Sequence, residues 1–219
     1  MEELKLLKQL YEQRFLGYKY FNDIKSTPFS GSDLKDMPES LDELQSYISD
    51  CSLCNLSKSR KKVVFGEGNS NADVMFVGEA PGELEDDLGR VFVGRAGETL
   101  DRIIQNVLLM KREDVYIANI VKCRPPQNRT PTDEEISSCR AFLLKQIEIV
   151  KPKIIVALGG TSYSYLTGDM DSSISKVRGE FISFGSSKLM PTFHPAYLLR
   201  NPSVKREIFN DMLKIKAML

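Results

Sequence analysis

From residue 74 onward, short and almost wholly apolar runs alternate with longer segments whose apolar residues recur every three or four positions. Val74-Met-Phe-Val77, Val115-Tyr-Ile-Ala-Asn-Ile-Val121, Lys153-Ile-Ile-Val-Ala-Leu-Gly159 and Leu189 to Phe193 read as strands buried on both faces. Ala96 to Met110 reads as a helix, with Leu100, Ile103, Ile104, Val107 and Leu108 on one side. Thr132 to Val150 reads as another; Asp133, Glu134 and Glu135 in its first turn suit the positive end of a helix dipole. Ser203 to Leu219 closes as a helix. Strands of this kind interleaved with helices predict an α/β fold with a mainly parallel sheet covered on both faces.

The first 40 residues break this rhythm. Leu4, Leu7, Leu10, Tyr11, Phe15, Tyr18 and Phe21 stand at near-helical spacing, so residues 2–24 predict an amphipathic helix. Residues 25–39 carry turn formers and little periodicity and read as a linker. Ser40 to Ser49 predicts a further helix, with Ser40 as N-cap and Glu43 as its capping-box partner. The expected organisation is a helical extension and linker over 1–40 and one domain over 41–219.

Composition narrows the function only a little. Apolar content of 42% and charged content of 27% are those of an ordinary globular chain. Thirty basic residues balance thirty acidic ones, so any nucleic-acid footprint has to be a local patch. No apolar run reaches membrane-spanning length, and Met1-Glu-Glu-Leu-Lys5 lacks the apolar core of a signal peptide, so a cytoplasmic protein is expected. In that compartment thiols stay reduced. The pair Cys51-x2-Cys54, with Cys123 and Cys139 further on, therefore suits a four-thiolate metal site better than disulfides, with zinc and a four-iron cluster both open.

The chemistry is expected where Val74-Met-Phe-Val-Gly-Glu-Ala-Pro-Gly82 turns from strand into an acidic, Gly/Pro-rich loop. Open α/β sheets bind ligands outside the carboxyl ends of their strands. Asn119 ends the next strand, Phe92 follows the acidic loop, and His194, the chain's sole histidine, follows the last strand. Taken singly, each has a plain structural reading: a turn-forming Asn, a core Phe, a structural His.

Taken jointly they have a family. Gly78-Glu-Ala-Pro-Gly-Glu-Leu-Glu85, Gly89-Arg-Val-Phe-Val-Gly-Arg-Ala-Gly97, Asn119-Ile-Val-Lys-Cys-Arg-Pro-Pro126, Asn128-Arg-Thr-Pro131 and His194-Pro-Ala-Tyr-Leu-Leu-Arg-Asn201 resemble the family 4 uracil-DNA glycosylases, from about Cys51 to the C-terminus. The resemblance implies a three-layer α/β/α fold and a 4Fe-4S cluster on Cys51, Cys54, Cys123 and Cys139. It also implies a base-excision repair enzyme that acts on uracil-containing DNA as a monomer, leaving an abasic site without a lyase step. The branch of the superfamily that stays bound to its abasic product has a basic insertion after the Gly-Arg-Ala-Gly segment, and here Gly94-Arg-Ala-Gly97 runs directly into Glu98-Thr-Leu100.

For single residues, the resemblance implies that Asn119 reads the Watson–Crick edge of uracil and that Phe92 stacks on the base. His194 would steady the departing base, and Glu79 would activate water or offset the charge on the sugar, with Glu85 and Asp86 as rival acids. Gly78 and Ala80 would allow close approach to the base. Leu198 or Leu199 would wedge into the base stack while Arg200 holds phosphate. Lys122, Arg124, Arg129, Lys176 and Arg178 are further candidates for the DNA track.

Overall fold

The computed structural model describes residues 37–219, so the helix expected over 2–24 and most of the linker lie outside the described residues. Six strands form one sheet: β1 (Glu67–Gly68), β2 (Val74–Gly78), β3 (Tyr116–Asn119), β4 (Ile154–Leu158), β5 (Ile182–Phe184) and β6 (Ser187–Thr192). Their order is β1-β3-β2-β4-β6-β5. The inner pairs β3·β2, β2·β4 and β4·β6 are parallel, and the two edge strands join antiparallel. All four parallel strands match expected apolar runs. The edge strands were not expected, because two or three residues carry no readable period.

Alternation along the strands builds three layers. Val74 and Phe76 face Leu100 and Ile104, together with Ile208, Met212 and Ile215 of the C-terminal helix. Met75 and Val77 face the other way, toward Leu44, Ile48, Ile136, Phe142 and Leu143. The helices that cover the sheet are α1 (Leu41–Ile48), α2 (Glu83–Leu88), α3 (Arg95–Ile103), α4 (Asp133–Val150), α5 (Gly160–Thr167), α6 (Ile174–Val177), α7 (Pro195–Arg200) and α8 (Lys205–Lys216). The helix expected to reach Met110 instead widens into a π turn over Ile104–Leu108 and stops at Leu109, which is left-handed at φ 59°. No described helix is long and apolar enough to cross a membrane.

Local chemistry sets the helix starts. Ser40 caps α1 by accepting the Glu43 amide. Thr132 and Glu135 form a reciprocal capping box at α4, and Arg129 grips the Glu135 carboxylate through both terminal nitrogens at 2.8 and 2.6 Å. Upstream of α1, Met37 is buried in the core and Glu39 pairs with the buried Lys145 at 2.8 Å, which ties this end of the described chain to α4.

Phe76 lies at the centre of the sheet with no exposed surface. Phe76→Ala is expected to cost about 3–5 kcal/mol of unfolding free energy through lost burial and a residual cavity, measurable by equilibrium denaturation.

Candidate active site

A cleft of about 640 Å³ opens at the carboxyl ends of the parallel strands, lined by residues that include Glu79, Ala80, Phe92, Asn119, Leu158, Gly159, His194 and Arg200. Each parallel strand supplies one wall. β2 runs into Glu79 and Ala80, β3 ends at Asn119, β4 ends at Leu158, and β6 leads through Phe193 to His194.

Asn119 pairs in register with Gly78 across the β2·β3 ladder. Its side chain is buried, and among the described residues its Oδ1 has no hydrogen-bond partner. Buried polar atoms are almost always satisfied, so an orphaned acceptor at a cleft wall marks a place for a donor from a ligand. A Cβ at Gly78 would lie 2.3 Å from that oxygen and 2.6 Å from Cζ of Phe92, so only glycine lets the two side chains meet. Phe92 is itself buried and sits at φ 47°, a left-handed conformation that non-glycine residues seldom adopt. Its ring lies 5.7 Å from the His194 ring, tilted by 31°.

His194 is the N-cap of α7, and its Nδ1 accepts the Ala196 amide N–H at 3.1 Å. In the neutral ring that bond leaves the proton on Nε2. Burial, with the Arg200 charge adding to it, pushes the imidazole down to about 4, so the neutral form prevails at physiological pH.

The three acids of the loop separate by partner. Asp86 is buried and its Oδ1 accepts the Lys61 amide at 2.9 Å. Glu85 accepts the Val93 and Gly94 amides at 3.1 and 3.0 Å, which fixes the segment after Phe92. Glu79 lines the cleft half-buried, and no hydrogen bond from a described residue engages its carboxylate.

A second hollow is lined by Cys51, Cys54, Cys123 and Cys139, with Arg60 and Lys122 alongside. Arg60 Nη1 lies 3.4 Å from the Cys123 sulfur, and the Lys122 amide donates to the Cys139 sulfur at 3.3 Å. Burial pushes the Cys139 thiol up to about 12. Among the described residues no three Cys, His, Asp or Glu side chains close on a single-ion geometry.

Residues 65–214 match the model of the uracil DNA glycosylase superfamily. The chain is 49% identical over 185 residues to the type-4 uracil-DNA glycosylase of Thermotoga maritima, covering 81% of this chain and 96% of that protein. It is 47% identical to the type-4 enzyme of Saccharolobus solfataricus, over 83% of this chain and 87% of the relative. With that of Sulfurisphaera tokodaii it shares 43%, over 82% and 85%. The chain belongs to the type-4 uracil-DNA glycosylases.

Within this type-4 frame the cleft gathers Glu79, Ala80, Phe92, Asn119, His194 and Arg200, with Gly78 beneath them. Leu198 packs against the core, whereas Leu199 is 41% exposed. Two candidates for a DNA track are structural instead. Lys122 is buried, its Nζ donating to the Asn119 carbonyl at 2.8 Å and to Gln146 at 2.5 Å. Arg178 is engaged by both oxygens of buried Asp211 and donates to the Glu207 carbonyl at 2.6 Å. Arg124 and Arg129 are already paired with Glu83 and Glu135, and Lys176 stays exposed. Tyr197, which lines the cleft and stacks on Phe193 at 5.1 Å, was not anticipated, although it lies inside the His194–Asn201 motif.

Because His194 is the sole histidine, one imidazole resonance reports it. Its NMR titration midpoint is expected near 4 rather than 6.5 and is expected to rise in Arg200→Ala, where one of the two causes is removed. The unfolded chain binds this proton below about 6.5 and the folded chain only near 4, so the ring makes stability fall as pH falls through that window.

Proposed function

We propose that the cleft receives a uracil extruded from DNA and that the residues around it cut the N-glycosidic bond, releasing the free base and leaving an abasic site. The observation that carries this reading is the orphaned Oδ1 of buried Asn119 beside Phe92 and His194. That oxygen suits uracil N3–H, and the amide NH₂ suits O4. Cytosine presents the opposite polarity at both positions, and each mismatched buried group costs about 1–3 kcal/mol. Phe92 offers its ring to the base, an interaction worth about 1–3 kcal/mol.

Bond cleavage needs the C1′–N1 electron pair to leave with the base while the sugar becomes cationic. Nε2–H of neutral His194 donates to O2, where negative charge gathers. Glu79, with no other partner in the described chain, orients a water toward C1′ or offsets the sugar cation. The water supplies the hydroxyl of the abasic product, and its proton passes to Glu79 or solvent. Leu199, exposed where Leu198 is packed, is the better candidate to fill the gap in the base stack, with Arg200 on the adjoining phosphate.

We further propose that Cys51, Cys54, Cys123 and Cys139 hold a 4Fe-4S cluster. Four thiols line one hollow, with N–H groups directed at two of the sulfurs. Membership of the type-4 glycosylases favours a four-iron cluster over zinc. Such a cluster would supply cross-links between the segment after α1, the end of β3 and α4. N-glycosidic hydrolysis transfers no electron, which leaves it a structural role. Residues 41–219 then form the glycosylase domain, and 1–40 an appended segment.

The test is excision from an end-labelled oligonucleotide with one uracil, scored by alkaline cleavage. His194→Ala is expected to lose about 10²–10³-fold in rate and Glu79→Ala about 10²–10⁴-fold. Variants that retain full rate would remove those roles. In parallel, iron and acid-labile sulfide are expected at about four each per chain, the composition of a 4Fe-4S centre, and are expected to fall in Cys139→Ser. Zinc in place of iron would overturn the cluster.

A further inference from the structure

The unusual backbone of Phe92 needs an explanation outside the cleft. A bulky residue at φ 47° persists only where its surroundings over-determine it. On the amide side, Glu85 takes the N–H groups of Val93 and Gly94. On the carbonyl side stands Arg112, which is not among the residues lining the cleft. Its Nη2 donates to the Val91 carbonyl at 2.6 Å and its Nη1 to the Phe92 carbonyl at 3.3 Å. The guanidinium is itself fixed, donating from Nε to Glu67 at 2.9 Å and from Nη1 to Asp101 at 2.6 Å. Glu67 is held in turn by Arg90 through two bonds of 3.0 Å. The Phe92 carbonyl also presses on α3, where a Cβ at Gly97 would lie 1.8 Å from its oxygen.

We propose that Arg112 is a positioning residue for Phe92: its planar fork grips two successive carbonyls, keeps the Phe92 backbone left-handed and so holds the ring in the cleft. The proposal rests on the stacking role given to Phe92 above. The fork is what matters. Lysine would keep the charge opposite Glu67 and Asp101 but present a single compact ammonium, unable to span both carbonyls and both carboxylates. Arg112 touches no substrate and acts through Phe92 alone.

The experiment is a double-mutant cycle of Arg112→Lys with Phe92→Ala, read as kcat/KM for uracil excision and as the inhibition constant of free uracil, with melting temperature as the check on folding. Each single variant is expected to lose roughly 5- to 150-fold in kcat/KM, the range set by one base-stacking contact, and to bind free uracil more weakly. In the Phe92→Ala background, Arg112→Lys is expected to add less than about twofold, since interactions that act through one another are not additive. Losses that multiply in full, or an Arg112→Lys variant with unaltered kcat/KM and uracil inhibition beside an impaired Phe92→Ala, would overturn the clamp and leave stacking intact. A Phe92→Ala variant with full activity would overturn stacking and the clamp with it. Should Arg112→Lys fail to fold, Glu67→Gln decides by the same cycle, because it removes the carboxylate that anchors Arg112 Nε without touching Phe92. Loss that does not multiply with Phe92→Ala supports the clamp, and multiplicative loss overturns it.

Discussion

The site depends on a missing side chain. Gly78 ends β2 in register with Asn119, and a Cβ there would overlap both the Asn119 oxygen and the Phe92 ring. Parallel pairing of β2 with β3 brings the amide to the lip of the sheet, and glycine makes the space in which amide and aromatic ring stand together. The same pairing continues past the strands, where the Ile120 and Val121 amides donate to the Gly78 and Glu79 carbonyls at 2.9 and 3.2 Å. The acid and the amide are therefore carried on one hydrogen-bonded frame, and a shift at one would be felt at the other.

Around that frame, the charged groups divide by whether the fold already uses them. Asp86, Glu85, Glu135 and Arg112 each hold backbone or partner groups, which keeps loops fixed but leaves them little capacity for a ligand. Glu79, the Asn119 oxygen and Nε2 of His194 keep theirs. The neutrality of His194 follows from the same logic: its Nδ1 is capped by a backbone amide, and burial beside a like charge disfavours a second proton. In the proposed role, a neutral donor opposite a base that leaves as an anion would gain charge complementarity only as the bond breaks, which is where stabilisation accelerates a reaction.

Legibility in the sequence tracked the range of the forces involved. The four parallel strands and α1, α3, α4 and α8 were readable because burial on both faces writes long apolar runs and 3.6-residue stripes. The short edge strands and the helices α2, α5, α6 and α7 were not, since two to eight residues fixed by tertiary contact carry too little period. Asn119, Phe92 and His194 were found through motifs, not through chemistry that any of them announces singly. Arg112 had no local signal, for its partners Glu67, Val91, Phe92 and Asp101 lie up to 45 residues away in sequence. Lys122 and Arg178 misled for the reverse reason: a basic residue near a motif reads as a phosphate contact until its carbonyl or carboxylate partner is known.

Lys122 also shows how the two hollows are joined. Burial draws its ammonium down to about 8, and its Nζ is held by the Asn119 carbonyl and the Gln146 side chain. Gln146 in turn donates to Tyr116 Oη and to the Phe65 carbonyl, both at 3.0 Å. The backbone amide of the same lysine donates to the Cys139 sulfur, and Cys123 follows directly in sequence. One residue thus ties the end of β3, and with it the Asn119 amide, to two of the four thiols and to α4. An internal cation without those partners would be strongly destabilising, so the network is cohesive as a set. Whatever fixes the thiols fixes the wall of the cleft, so a cluster held there, as proposed, would act on the site mechanically and not through its chemistry.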